Sequence, residues 1–265
     1  MMAGLLFARA GISVTVLEKH ADFFRDFRGD TVHPSTMEVL AGLGMLDRFL
    51  QRPHHRIDRA EISWNGRLMT IGDLSHLPTP APFIAMMPQW DFLDFLRDEA
   101  AAFPCFRLRM EAPVGDFIEE DGRIAGVVLA SGERLPAGKL VIACDGRDSI
   151  VRARDMLPLE DLGAPIDVFW FAVPKAERGS ALRGAVSGNR LIVQIDRGDY
   201  WQCAYVIAKG SAAAVMAGGI ARFRAEVREA APSLPDLDTA LHDFSAVRLL
   251  SVSLNRLTCW HRPGL

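Results

Sequence analysis

Lys139-Leu-Val-Ile-Ala-Cys-Asp-Gly-Arg-Asp-Ser-Ile-Val-Arg152 opens on an apolar run, Leu140 to Cys144, too short for a domain helix. Unbroken apolarity, in place of alternation, is what a parallel strand covered on both faces shows. The run stops at Asp145-Gly146. In open α/β sheets, ligands bind just outside the carboxyl ends of the strands. The sequence therefore predicts a ligand-facing Asp145, with Gly146 letting the ligand approach the backbone. Asp148 or Ser149 is placed to cap a short helix opening at Ile150. Asp-Gly is also a generic turn pair, so those two residues alone carry little. The longer spacing is more specific: an apolar strand, Asp-Gly, Ser149 three residues after Gly146, and Arg152 three after that.

That pattern resembles the Asp-Gly fingerprint of the class A flavoprotein monooxygenases, the para-hydroxybenzoate hydroxylase type. Asp145, Gly146, Ser149 and Arg152 carry the likeness. The resemblance implies that this segment lies near both the flavin and the nicotinamide donor. It implies FAD as cofactor, NAD(P)H as co-substrate, and transfer of one atom of O2 to a small, electron-rich substrate, aromatic or polycyclic. In such chemistry the cofactor does the difficult step, and the protein orients and excludes water. No side chain is assigned as catalytic base or nucleophile.

Working outward, residues 1–10 read as an amphipathic helix ended by Gly11, the usual residue past a helix C-terminus. Ser13 to Leu17 reads as a buried strand closed by Glu18. Helix, glycine, strand and terminal acid form the second half of a dinucleotide-binding βαβ unit, where the acid accepts from a ribose hydroxyl of the adenosine. A strand-end glutamate is otherwise an ordinary solvated residue. An NAD dehydrogenase would share Glu18, but it would not account for the Asp-Gly pattern or the meander described below. The 265 residues hold no Gly-x-Gly-x-x-Gly run. By the resemblance, residue 1 follows directly on such a phosphate loop. The expectation is that residues 1–265 alone hold FAD weakly or not at all. A non-catalytic fragment or remnant is the alternative reading.

The loop 22–34 matches the place where the family sets an arginine near the FAD pyrophosphate. Arg28 is the residue implied, and a planar, always-charged fork suits phosphate. Ser35-Thr-Met-Glu38 reads as a capping box opening a helix with an apolar face at Met37, Leu40 and Leu43. Asn65-Gly66 marks a hairpin between the runs 60–64 and 67–71. By the resemblance this hairpin joins a separate sheet that covers the substrate. Gln89 opens a helix to Ala102, and the family places a glutamine there against the flavin; a plain polar residue at a helix start reads the same way.

Three strand runs between Phe106 and Leu135, parted by Asp121-Gly122 and Ser131-Gly132, read as an antiparallel meander. Beyond Arg152, the runs 166–173, 190–195, 200–207 and 247–254 read as one antiparallel sheet, with a helix over 215–231. Trp170, Trp201 and Tyr205 are candidates for a substrate pocket, although aromatic residues in strands are more often core.

The totals agree with this. The charge of −3 offers no basic footprint for nucleic acid. Cys105, Cys144, Cys203 and Cys259 are scattered without a C-x-x-C pair. Neither a disulfide framework nor a metal site is predicted, and a reducing cytoplasm is the natural reading. No apolar run reaches the ~20 residues that span a bilayer. The predicted fold class is α/β. Residues 1–55 and 89–160 form a discontinuous FAD-binding domain with a Rossmann-like parallel sheet and meander. Residues 56–88 and 161–265 form a mostly antiparallel substrate-binding sheet domain.

Overall fold

Leu5 and Ala8 form the buried side of helix Met2–Arg9, each 1% exposed. Gly4 brings that helix onto a pair of parallel strands, Val14–Leu17 and Phe106–Arg109. A β-carbon on Gly4 would stand 2.5 Å from Val16 Cγ2 and 3.1 Å from Phe106 Cε2, so only a hydrogen fits. The computed structural model describes residues 1–24, 31–146, 148–175 and 182–265. The chain divides into two compact units. The first comprises Met1–Asp30, Pro88–Leu162 and Asn255–Leu265; the second comprises Thr31–Met87 and Gly163–Leu254. Residues 31–55 thus group with the second unit, and 255–265 with the first.

In the first unit, helix Gln89–Ala101 packs beside Met2–Arg9. Strand Phe106–Arg109 leaves the predicted meander and pairs in parallel with Val14–Leu17. The meander itself is Val114–Glu120, Arg123–Leu129 and Arg134–Pro136, all antiparallel. Its first turn is Asp121-Gly122, with φ of 49° and 76°.

Leu140 to Cys144 does not form the predicted buried strand. Lys139 to Gly146 carries no regular structure, and Leu140 and Ile142 are 52% and 49% exposed. A strand persists only where a neighbour takes its N–H and C=O groups. Among the described residues, the backbone link made by this run is Val141 N–H to Gly264 O, 2.9 Å. For the same reason Val14–Leu17 is half-buried where the sequence predicts full burial: it pairs on one side only among the described residues.

The second unit is built on a seven-stranded sheet. Its order is Arg248–Ser251, Ile166–Pro174, Tyr200–Ala208, Arg190–Asp196, Leu182–Ser187, Arg59–Trp64 and Arg67–Asp73. Every pairing is antiparallel except Leu182–Ser187 with Arg59–Trp64. The Asn65-Gly66 hairpin joins this sheet, with φ of 49° and 84° at its two turn residues. Strand Leu182–Ser187 escapes the sequence reading, because Gly184 and a polar end dilute its pattern.

One face of the sheet carries Phe169, Phe171, Ile192, Cys203 and Tyr205 against Phe223 and Val227 of helix Ile220–Ala230. The helix predicted over 215–231 is two helices, Ala212–Ala217 and Ile220–Ala230. Gly218-Gly219 parts them, and Gly219 takes a φ of 82° that no helix continues. The capping box at Ser35 does not form. Pro34 already occupies the first helical position of Pro34–Gly42, after His33, so Ser35 lies inside the helix. Met37 and Leu40 are fully buried, as the apolar face requires.

Asp167 pins the edge of this sheet. Its carboxylate accepts from Gly210 N–H, Lys209 Nζ and Val252 N–H at 2.9, 2.9 and 3.0 Å. The Gly210 amide first, then Lys209, hold its pKa down at about 2. A depressed carboxylate stabilises the fold above its unfolded pKa of ~3.9 and loses that contribution as pH falls through the folded value. Asp167→Asn should therefore lower the melting temperature of this unit at pH 7 by several degrees. The gap between variant and parent should close as pH falls from ~4 to ~2. A gap independent of pH over that range would refute the assignment.

Candidate cofactor site

Glu18 stands at the carboxyl end of the parallel strand pair. Its N–H donates to Arg109 O at 2.9 Å, and its C=O accepts from Ala112 N–H at 2.8 Å. The backbone is thus held from both sides, and the half-buried side chain accepts from His20 N–H at 3.0 Å. Arg109, the last residue of the neighbouring strand, turns its guanidinium to Glu133 in a two-point pair of 2.8 and 2.7 Å. That pairing holds the Glu133 carboxyl below its ordinary range.

Phe24 packs against Trp90, with ring centroids 4.9 Å apart and the planes tilted by 40°. This contact brings the chain that follows Glu18 against the first turn of helix Gln89–Ala101. Gln89 is the first residue of that helix, after Pro88, whose φ of −57° suits a helix entry. Glu18 and Gln89 therefore lie in neighbouring parts of one unit. Arg28 lies outside the described residues.

Asp145 and Gly146 are anchored separately, at the short helix Ile150–Ala153. Asp145 Oδ2 accepts from Ile150 N–H at 2.9 Å. Ser149 caps the helix, its Oγ accepting from Val151 N–H at 3.2 Å, and is itself buried. Between the two predicted caps the structure selects Ser149 and adds Asp145. Gly146 takes a φ of 80°, and the space where its β-carbon would sit is open.

The sequence reading missed what holds this loop. Arg262-Pro-Gly-Leu265 is a tight turn closed in both directions, Leu265 N–H to Arg262 O at 2.9 Å and Arg262 N–H to Leu265 O at 3.0 Å. Pro-Gly at the two central positions is the signal that could have found it. A cleft of ≈ 370 Å³ in the same unit is lined in part by Asp116, Glu119, Arg154 and Arg262. Its charges pair across it, Arg154 with Asp116 at 2.8 Å and Arg262 with Glu119 at 3.7 Å. It includes neither Glu18, Gln89 nor Asp145.

In the second unit, Trp201 and Tyr205 belong to the core, 8% and 3% exposed. Burial pushes the Tyr205 phenol up to about 12. Trp170 points to the other face of the sheet, because side chains alternate along a strand and Phe169 and Phe171 face the helices. Its cross-strand partners there are Ala204 and Arg248.

A family model described as "FAD binding domain" matches residues 1–263. The 6-methylpretetramide 4-monooxygenase of Streptomyces rimosus is 28% identical over 265 residues, covering 98% of this chain and 63% of that protein. The rifampicin monooxygenase of Streptomyces venezuelae is 35% identical over 157 residues, covering 57% of this chain and 30% of that protein. This chain thus spans under two thirds of the length of the curated relatives it matches. Among solved structures, the p-nitrophenol 4-monooxygenase of Pseudomonas putida superposes with a TM-score of 0.77 at 20% identity, covering 99% of this chain and 67% of that one. A myxobacterial chondrochloren halogenase does so with a TM-score of 0.76 at 18% identity, covering 98% and 63%. At such identities the superpositions speak for the fold alone. The match over residues 1–263 carries the assignment: the chain belongs to the FAD-binding-domain family.

Proposed function

We propose that the chain serves FAD-dependent monooxygenation of an aromatic or polycyclic substrate, with NAD(P)H as the reductant. One observation carries this reading within the family match. Glu18 ends a parallel strand under a helix that Gly4 seats closely, the arrangement that presents an acid to an adenosine ribose. The other residues fit the same ligand. Gly146 offers an open backbone approach, and Gln89 heads a helix beside the segment that follows Glu18. In this reading Glu18 holds the ribose, Arg28 the pyrophosphate, and Gln89 with Asp145-Gly146 the flavin end. When bound, FAD would supply electron transfer and oxygen activation. The chain's own residues bind, orient and exclude water.

The two units divide the work: the first is the cofactor part and the second the substrate part. The sheet face opposite the helices, with Val168, Trp170 and Ala204, is the surface we assign to substrate. The curated relatives are named for 6-methylpretetramide and rifampicin. A broad apolar sheet face would suit an aromatic or polycyclic substrate.

Titration of residues 1–265 with FAD tests the reading. Saturable binding, even weak, and bleaching of the bound flavin by NAD(P)H are expected. Absence of any saturable binding would favour the fragment reading instead. Asp145→Ala should weaken FAD or slow its reduction and should release the Ile150 amide. Asp145→Asn keeps an acceptor for that amide, so it separates the charge from the cap. Unchanged reduction kinetics and cofactor content in both variants would remove Asp145 from the site.

A further inference from the structure

We propose that the turn Arg262–Leu265 is the positioning device of the Asp145-Gly146 loop, gripping it on both sides. The proposal rests on the reading that this loop serves the flavin. Ahead of the loop, Val141 N–H donates to Gly264 O at 2.9 Å. Behind it, Leu265 shares a buried cluster with Val151 of helix Ile150–Ala153, Ile124 and Leu157. Val141 packs against that same cluster. One turn thus meets the chain four residues before Asp145 and six residues after it. Residues 142–146 between them are exposed and form no strand, so their place is set from these two ends.

The turn is itself tied down. Ile124 N–H donates to Pro263 O at 2.8 Å, which fixes it to the meander. Gly264 has a φ of 85°, and a β-carbon there would lie 1.9 Å from Ile124 O. No side chain fits at that point, and an L-residue is strained in that backbone conformation. The contact is backbone against backbone, so it cannot be relieved by a rotamer change. Position 264 therefore transmits the meander's placement through Gly264 O to Val141, and position 265 transmits it to Val151. Neither residue needs to touch the cofactor.

Amide exchange of residues 1–265 reads the grip directly. Leu265→Ala should speed exchange at Ile150 and Val151 by about tenfold, as expected for a locally loosened segment. Amides of the parallel pair near Glu18 should be unchanged. The FAD dissociation constant should rise alongside, and Leu265→Met should restore both. Gly264→Ala should speed Val141 in addition; where that variant does not fold, Leu265→Ala carries the test. Phe223→Ala, a destabilising change in the other unit, should leave FAD affinity alone. Exchange at Ile150 and Val151 equal to the parent in folded Leu265→Ala would overturn the proposal. It is also overturned if the loop loosens without a change in FAD affinity while Asp145→Ala does weaken FAD. A loosened loop with FAD affinity indifferent to both variants upholds the grip and overturns the flavin reading of Asp145.

Discussion

Phe223→Ala is expected to destabilise the second unit by about 3–5 kcal/mol, the usual cost of deleting a fully buried aromatic ring. Phe223 is 1% exposed and sits edge-on to three rings at once. Its centroid lies 5.6 Å from Phe169, 5.8 Å from Phe171 and 5.4 Å from Tyr205, at interplanar angles of 75°, 80° and 83°. Phe244 closes the cluster at 5.6 Å. Edge-to-face pairs add to plain burial, so this ring contributes more than its area alone. Three of its neighbours are held by the sheet ladder and cannot collapse into the space. Helix Ile220–Ala230 has Val227 and Ala230 as its other buried residues, so the ring is its chief anchor. The check is the exchange free energy of the slowest amides in Ile166–Pro174 and Tyr200–Ala208. A loss below ~1 kcal/mol would mean that the helix is docked by something else.

Glu18→Ala is expected to weaken FAD by about 1–3 kcal/mol, the range for losing a charged hydrogen-bonding partner. That corresponds to a factor of roughly 5–150 in dissociation constant. The fold should be spared. Backbone bonds to Arg109 and Ala112 hold residue 18 in place whatever its side chain, and the bonds lost within the protein include the one from His20 N–H. Equilibrium dialysis against FAD, with circular dichroism as the control, measures the effect. Equal retention by parent and variant would leave Glu18 a solvated strand end and would remove the chief support for the cofactor site.

Elements whose cause is local were legible in the sequence. Helix Met2–Arg9, the hairpin at Asn65-Gly66, the meander turn at Asp121-Gly122 and the cap at Ser149 each depend on residues within a few positions of one another. Turn residues that need positive φ and short polar caps announce themselves, because few side chains tolerate those places. The capping box at Ser35 failed on a local competitor, Pro34, which begins the helix one residue earlier. The single helix over 215–231 failed on Gly218-Gly219, where apolar periodicity continued across a backbone that did not.

From the sequence alone came the α/β class, the mostly antiparallel second sheet, the residues Glu18, Gln89, Asp145 and Gly146 as candidates, and the likeness to the flavoprotein monooxygenases. Composition, period and short motifs carry that much, since they record what each segment can bury and where the chain can turn. Only the tertiary structure decided which apolar runs find partners. Leu140 to Cys144 reads as a buried parallel strand, yet apart from half-buried Val141 it is exposed, because strand pairing depends on a neighbour distant in the chain. Trp170, Trp201 and Tyr205 look alike in sequence, but the sheet register sends Trp201 and Tyr205 into the core and Trp170 to the opposite face. The grip of Gly264 and Leu265 on the Asp145 loop joins residues more than a hundred positions apart, and no local rule specifies such a contact.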